Sequence, residues 1–164
     1  MKRTFTILSI LLFSLVSFGQ IGNKQVEVTV GAEKEVIPKI GDTIPTFFED
    51  EKTLKNLKYS DEEKLTIQEF KYTGEIYKLT EFPLDNLKYK TLTKYNLNGN
   101  VILIANYDNG IVDGYFQKFY DNGKPMKVGN YKKLIKIGEW KYYDDNGELT
   151  KTEIYENGKL IREE

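Results

Sequence analysis

The pattern of apolar and polar residues along this chain predicts β-strands rather than helices. In residues 25–30 a valine occupies every second position, which is the pattern of a half-buried strand. From Leu65 onward, short runs rich in Tyr, Ile, Val, Thr and Phe are separated by turn sequences. No stretch in this part shows a helical period of useful length, so the chain is predicted to form consecutive β-hairpins.

The turn sequences recur at a fixed interval. Asn98-Gly99, Asn122-Gly123 and Asn146-Gly147 follow one another in steps of 24 residues. Asn-Gly pairs suit tight hairpin turns because both residues tolerate a positive φ. The same step relates several large side chains and two glycines: Leu92, Phe116 and Trp140; Tyr95, Phe119 and Tyr143; Tyr107, Tyr131 and Tyr155; Gly114 and Gly138. A constant period of this length indicates a repeat architecture, in which each unit packs on its neighbours.

Two of the recurring motifs carry a resemblance to a known family. Residues 107–116 contain the pattern Y-x-N-G-x-x-x-G-x-aromatic, and residues 138–143 contain G-x-W-x-x-Y. These motifs resemble the MORN repeat and its bacterial variant over about residues 92–160, with a degenerate earlier copy from residue 66. The second unit departs from the pattern, because Lys132-Lys133-Leu134 stands in place of its first Asn-Gly turn.

The resemblance implies an all-β fold, an elongated, twisted antiparallel sheet of serial β-hairpins with a 24-residue repeat. It implies that the sheet serves as an interaction or scaffolding surface, and it implies little about catalytic activity. Some proteins with such repeats act near membranes, and some are described as antitoxins. Fold-level likeness alone does not establish function.

Residues 20–64 match nothing in the repeat. They are predicted to form an extended segment with one strand at 25–30, because Gly31, Pro38, Gly41 and Pro45 interrupt any longer element. We expect this segment to cover an edge of the sheet; the alternative is a disordered leader. The charged stretch 49–64 is the predicted domain boundary, with a weak helical signal over 53–59, and the repeat domain is predicted to span 65–164.

The first 19 residues have the layout of a secretory signal peptide. A positive start, Met1-Lys2-Arg3, precedes an apolar run over residues 5–16, and Ser17-Phe18-Gly19 supplies small residues for cleavage before Gln20. The run is shorter than the ~20 residues of a spanning helix. No cysteine follows it, which excludes a lipoprotein anchor. We therefore expect an exported protein in the periplasm or outside the cell.

The composition removes most catalytic chemistry. The chain contains no histidine and no cysteine, and Ser60 would be the one serine left after export. Neither a Ser-His-Asp nor a Cys-His arrangement can be built, and zinc sites of His and Cys are excluded. The acidic residues lie mostly in turns or alternate with lysine, as surface charge does. No catalytic, cofactor or metal site is expected, and the protein is predicted not to be an enzyme.

Charge and aromatic content bear on the partner. Without Lys2 and Arg3 the chain would hold 22 basic and 25 acidic residues, a net charge of −3. This charge argues against nucleic acid and supplies no basic block for anionic lipid. The candidate binding residues are Trp140, Tyr142, Phe116 and Tyr115, since rigid amphipathic rings suit binding surfaces. The alternative is that this aromatic stripe is the packed face of the sheet itself.

Four hypotheses about function remain open from the sequence; the fourth, which the prediction above argues against, is an enzyme that uses a pair of carboxylates. The first is a non-enzymatic exported binding or scaffold protein that contacts another envelope or extracellular protein. The second is a module that associates with a cell-wall glycan or a membrane surface through its aromatic residues. The third is an antitoxin or inhibitor. The oligomeric state is left undecided.

Overall fold

The computed structural model describes residues 26–30 and 33–164, and throughout this part the chain is β-structure joined by turns. The predicted signal peptide and residues 20–25 lie outside it. The strands are β1 (Val26–Val30), β2 (Glu33–Ile37), β3 (Thr43–Phe47), β4 (Leu54–Ser60), β5 (Lys64–Phe70), β6 (Ile76–Pro83), β7 (Tyr89–Tyr95), β8 (Val101–Asp108), β9 (Ile111–Phe119), β10 (Pro125–Lys132), β11 (Ile135–Tyr143), β12 (Leu149–Glu156) and β13 (Lys159–Glu163). Among the described residues, no helix has the length and apolarity that a membrane crossing requires.

Strands β3 to β13 form one antiparallel sheet of 11 strands in the order of the sequence. Each strand pairs with the strand before and the strand after it, while β1 and β2 form a separate two-stranded hairpin. At about 4.8 Å between strands the large sheet extends roughly 50 Å across its strands. The prediction of an all-β antiparallel sheet of serial hairpins is confirmed.

From β7 to β13, two kinds of turn alternate along the sheet. In the shorter kind two residues both have positive φ: Asn109 and Gly110 have φ values of 48° and 81°. Lys133 and Leu134 adopt the same conformation, with φ values of 48° and 68°, although neither is glycine or asparagine. The hairpin therefore forms where the sequence departs from the repeat pattern, because pairing of β10 with β11 on both sides of the turn sets its backbone.

The longer turns are closed by side chains as well as by backbone. Asp144 Oδ1 accepts hydrogen bonds from the backbone N–H groups of Asn146 and Glu148, each at 2.9 Å. Gly147 follows with a φ of 84°, a conformation that costs glycine little. The equivalent Asn96 Oδ1 accepts from Asn98 at 2.9 Å. The Asn98-Gly99 and Asn146-Gly147 turns thus satisfy backbone N–H groups with a side chain of their own.

The segment before residue 64 contains more regular structure than the sequence predicted. The stretch 31–48, expected to be irregular, includes β2 and β3. The prediction of a short helix over 53–59 is also wrong, because β4 occupies this stretch. Strand β4 bonds to β3 on one side and to β5 on the other, so sheet pairing overrides the local preference. Pro45 is accommodated because β3 is the edge strand of the large sheet.

Candidate binding face of the repeat sheet

One face of the sheet, here called the Trp140 face, carries a continuous row of apolar positions. The backbone register places Leu92 opposite Ala105, Ala105 opposite Phe116, and Phe116 opposite Gly129. Trp140 continues the row on β11, after a bulge between Val128 and Asn130 on β10. Leu92 is 6% exposed, and Ala105 and Trp140 are 0% exposed. This row is the core of the repeat region, even though the sheet is one layer thick here.

The aromatic side chains of two successive units meet above this row. The ring of Trp140 lies 4.8 Å from that of Tyr131 at 70° and 5.9 Å from that of Phe116, measured between centroids. Phe116 and Tyr131 meet edge to face at 5.3 Å. The indole N–H of Trp140 donates to the backbone oxygen of Asn130 at 3.2 Å. Edge-to-face packing and a satisfied indole make this a specific contact rather than a loose stack.

Gly129 is what allows the Trp140 ring to lie flat against the sheet. A Cβ atom at position 129 would stand 2.3 Å from Cδ2 of Trp140 and 2.5 Å from Cε2, closer than real contacts allow. The residue 24 positions earlier is Ala105, and it faces Phe116, which is smaller than tryptophan. From one unit to the next, the residue beneath the ring becomes smaller, from Ala105 to Gly129, as the ring becomes larger, from Phe116 to Trp140.

Lys136 lies at the end of the aromatic row, inside a cage of rings and one carboxylate. Its Nζ is 4.9 Å from the centroid of the Trp140 ring and 4.6 Å from that of Tyr155. It donates to Tyr142 Oη at 2.5 Å and to Glu153 Oε2 at 3.1 Å. Cation–π contacts and charge-assisted hydrogen bonds hold this lysine as part of the packed face.

The cage shifts the titration of its charged members. Burial alone would raise the pKa of Glu153, but hydrogen bonds from Lys151, Tyr142, Tyr155 and Lys136 outweigh it and lower the pKa from 4.5 to about 2. Burial would lower the pKa of Lys136, yet its bonds to Tyr142, Tyr155 and Glu153 raise that pKa overall. Both groups stay ionised near neutral pH, so the cage holds a fixed ion pair.

A second row on the Trp140 face, here called the lysine row, runs beside the apolar row. The cross-strand register joins Lys78 to Lys94, Lys94 to Leu103, Leu103 to Lys118, Lys118 to Lys127, Lys127 to Tyr142 and Tyr142 to Lys151. The row therefore crosses strands β6 to β12. Two of its steps place lysine directly opposite lysine, an arrangement that destabilises a sheet.

Two lysines of the row place their ammonium groups over aromatic rings of the Trp140 face. Nζ of Lys127 lies 5.5 Å from the centroid of the Phe116 ring, and Nζ of Lys151 lies 4.7 Å from that of Tyr142. Outside the row, Lys90 covers the Tyr107 ring in the same way, at 5.3 Å. Ammonium groups over aromatic rings make favourable cation–π contacts. With Lys136 over the Trp140 ring, these lysines cover the aromatic residues of a face on which the described residues place no second layer of strands.

The four residues predicted to bind do not form one surface. Trp140, Phe116 and Tyr142 lie on the Trp140 face, with Trp140 fully buried and the other two half-buried. Tyr115 is 38% exposed and lies on the opposite face, because adjacent residues of a strand point to opposite sides. A partner could touch Trp140 only if the sheet were repacked.

The sequence analysis missed the lysine row and the role of Glu153. A signal for the row was present, because Lys94 and Lys118 are 24 residues apart, and so are Lys127 and Lys151. These pairs follow the same step as the aromatic positions. No comparable signal marks Glu153, since the position 24 residues earlier is Gly129.

The fold and this face define the class of protein, a β-hairpin repeat protein. Residues 112–133 and 136–157 match the MORN repeat variant. The two matched stretches are adjacent and correspond to the hairpin pairs β9–β10 and β11–β12. The chain thus carries two MORN-variant repeats, which confirms the resemblance for this region.

No curated protein matches the chain. Among solved structures, the chain is similar to the crystal structure of TarM, with 14% sequence identity and a TM-score of 0.40. The similarity covers 66% of this chain and 21% of the TarM chain, so this protein spans about a fifth of the length of that one.

Proposed function

We propose that this chain is a non-enzymatic, exported binding or scaffold protein whose repeat sheet is its interaction surface. The observation that carries the proposal is the Trp140 face itself. In the described part of the chain, the strands of the repeat region pack against their sheet neighbours, and no second layer of secondary structure covers them. The lysine row is therefore presented to solvent on a rigid support.

Export and the absence of catalysis rest on the sequence. The first 19 residues have the pattern of a signal peptide, and a chain without histidine or cysteine lacks the side chains of most hydrolytic and zinc-dependent mechanisms. MORN-variant repeats are consistent with a surface that binds or organises other molecules. The proposed site of action is the periplasm or the exterior of the cell.

We place a protein, rather than a glycan, as the first candidate partner. A glycan would be recognised by sugar rings stacking on exposed aromatic faces. On the Trp140 face those ring faces are occupied: Lys136 lies over Trp140, Tyr142 and Tyr155, and Lys127 lies over Phe116. This occupancy favours charge-based contact with an envelope or extracellular protein.

The test is recovery of a partner from cells that export the full chain with a C-terminal tag. We expect a stoichiometric protein partner in the solubilised envelope or the culture medium, and mass spectrometry of the exported chain should show Gln20 as its first residue. Replacement of Trp140 is a poor probe, because loss of a fully buried ring would unfold the sheet. Lysine-to-glutamine changes on the lysine row are better probes, since they remove positive charge and leave the core intact.

A well-folded exported chain that recovers no protein under crosslinking would contradict the proposal. Retention of the chain in the cytoplasm with its first residues uncleaved would refute its export.

A further inference from the structure

The lysine row is electrically uneven along its length. At one end Lys78 is paired with Glu69, and at the other end Lys151 lies 2.7 Å from Glu153 Oε1. Between these ends, Lys94, Lys118 and Lys127 form no ion pair with any described residue. The positive charge of the row is therefore uncompensated in its middle, over strands β7 to β10.

Repulsion among the unpaired lysines in the middle of the row lowers the stability of the protein. Lys118 and Lys127 stand directly opposite each other on β9 and β10, and like charges in this position repel. Burial and the neighbouring Lys136 and Lys118 lower the pKa of Lys127, as expected of a crowded cation. An anion lying along the row would relieve this repulsion.

Open space for such an anion lies beside these lysines. A depression of about 490 Å³ is bordered by Lys94, Lys118, Phe116 and Met126, and one carboxylate, that of Asp121, also lines it. A second, of about 590 Å³, is bordered by Lys71, Lys78, Lys90 and Lys94 together with tyrosines, and no carboxylate lines it. Both lie on the Trp140 face and share Lys94, so they form one basic depression across neighbouring strands.

We infer that the lysine row binds an extended acidic segment of the partner protein, lying across the strands of the Trp140 face. The inference rests on the proposed function, since it names the chemistry of that partner. From β6 to β12 there are six strand spacings, or about 29 Å. An extended peptide covers this distance with about nine residues at ~3.3 Å per residue. The central lysines call for at least three carboxylates within that segment.

An acidic peptide fits this face better than two other anionic partners. The ring faces that would stack on an anionic polysaccharide are already covered by lysines. A membrane surface would draw on exposed apolar side chains, but the most exposed of these, Leu97 at 72%, Ile40 at 65% and Leu134 at 63%, lie in turns between strands. The row presents positive charge at positions that the strands set, with Leu103 between Lys94 and Lys118.

The test uses a nonaglutamate peptide as the probe, with nonaglutamine as the uncharged control, measured by fluorescence anisotropy on the purified chain. The row variant carries Lys94→Gln, Lys118→Gln and Lys127→Gln. The matched control removes the same charge from lysines away from the row: Lys52→Gln, Lys88→Gln and Lys159→Gln. We expect the row variant to bind nonaglutamate at least about tenfold more weakly, the effect of three exposed ion pairs. The control variant should stay within about twofold.

Thermal melting of both variants checks that each is folded. The row variant should melt at no lower a temperature than the parent, because the repulsion between Lys118 and Lys127 is removed. Should the triple change fail to fold, Lys118→Glu alone serves, since this side chain is exposed. Equal binding by the parent and the folded row variant would overturn the inference. So would tighter row-dependent binding of alginate oligosaccharides or phosphatidylglycerol vesicles than of nonaglutamate.

The partner recovered from cells separates the two proposals. If the row variant loses nonaglutamate but keeps its partner, the acidic-segment inference fails while the proposed function stands. If no partner exists at all, the proposed function itself fails.

Discussion

The contact between Gly129 and Trp140 gives the sharpest prediction about this fold. In the preceding unit the equivalent pair is Ala105 and Phe116, and the two pairs are related by the 24-residue repeat. Adding a methyl group at position 129 places it 2.3 Å from the indole ring. Gly129→Ala combined with Trp140→Phe instead reproduces the pair that the preceding unit already accommodates.

The expected magnitudes follow from packing. Gly129→Ala should cost about 3 kcal/mol, at the upper end of the effects of overpacking, because the Trp140 ring rests on neighbouring side chains. Trp140→Phe should cost about 2 kcal/mol from a smaller ring and the lost hydrogen bond to Asn130. Independent effects would sum to about 5 kcal/mol. We expect the double variant to lose only about 2 kcal/mol, because its two changes compensate.

Urea unfolding followed by circular dichroism is the suitable assay, since Trp140 is the one tryptophan and fluorescence would be lost with it. Ala105→Gly serves as a control, because it opens space at the equivalent position without a clash. Additive losses in the double variant would show that the ring of Trp140 and position 129 are not in contact, and would refute the repeat-by-repeat packing described above.

Two further predictions concern single residues. The lowered pKa of Glu153 means that its ionised form stabilises the fold above pH 4.5 and that this contribution is lost as the pH falls towards 2. Between pH 4.5 and 2, the free energy of unfolding of the parent should therefore fall by about 3 kcal/mol more than that of Glu153→Gln, as measured by urea titration. An equal fall in both proteins would show that the ionised Glu153 does not stabilise the fold. Gly138 has a φ of 62°, and open space surrounds it. Gly114 has a φ of 103°, and a methyl group added at position 114 would stand 3.3 Å from Asn106 Cβ. Gly138→Ala should cost about 1 kcal/mol and Gly114→Ala about 2 kcal/mol in melting experiments; the reverse order would contradict the two geometries.

The sequence was sufficient for the repeat region because its signals are local. Asn-Gly turns and alternating apolar residues fix where hairpins begin and end, and the 24-residue step identifies which positions stack. The Lys133–Leu134 turn formed without its usual residues because pairing of the flanking strands imposes its φ values. Strands β2 to β4 were missed because neither an Asn-Gly turn nor the 24-residue step marks this part of the sequence, although each strand pairs with a neighbour along the chain.

The candidate binding face was predicted less well, and the reason is physical. Large aromatic residues such as Trp140 serve equally as contact residues and as core, and only burial decides between them. Bulges also shift which side chains meet, so Lys136 reaches Tyr142 and Glu153 although no spacing in the sequence links them. The lysine row becomes visible only when register places its members side by side.

The most direct test of the binding face is site-specific photocrosslinking in living cells that export the full chain. One variant carries a photoreactive residue at position 118 on the lysine row, and the other carries it at position 117, which is adjacent in β9 but points to the opposite face. The account predicts a discrete crosslinked adduct with a protein from position 118 and none from position 117. An adduct from position 117 alone, or equal adducts from both positions, would contradict the assignment of the Trp140 face as the interaction surface.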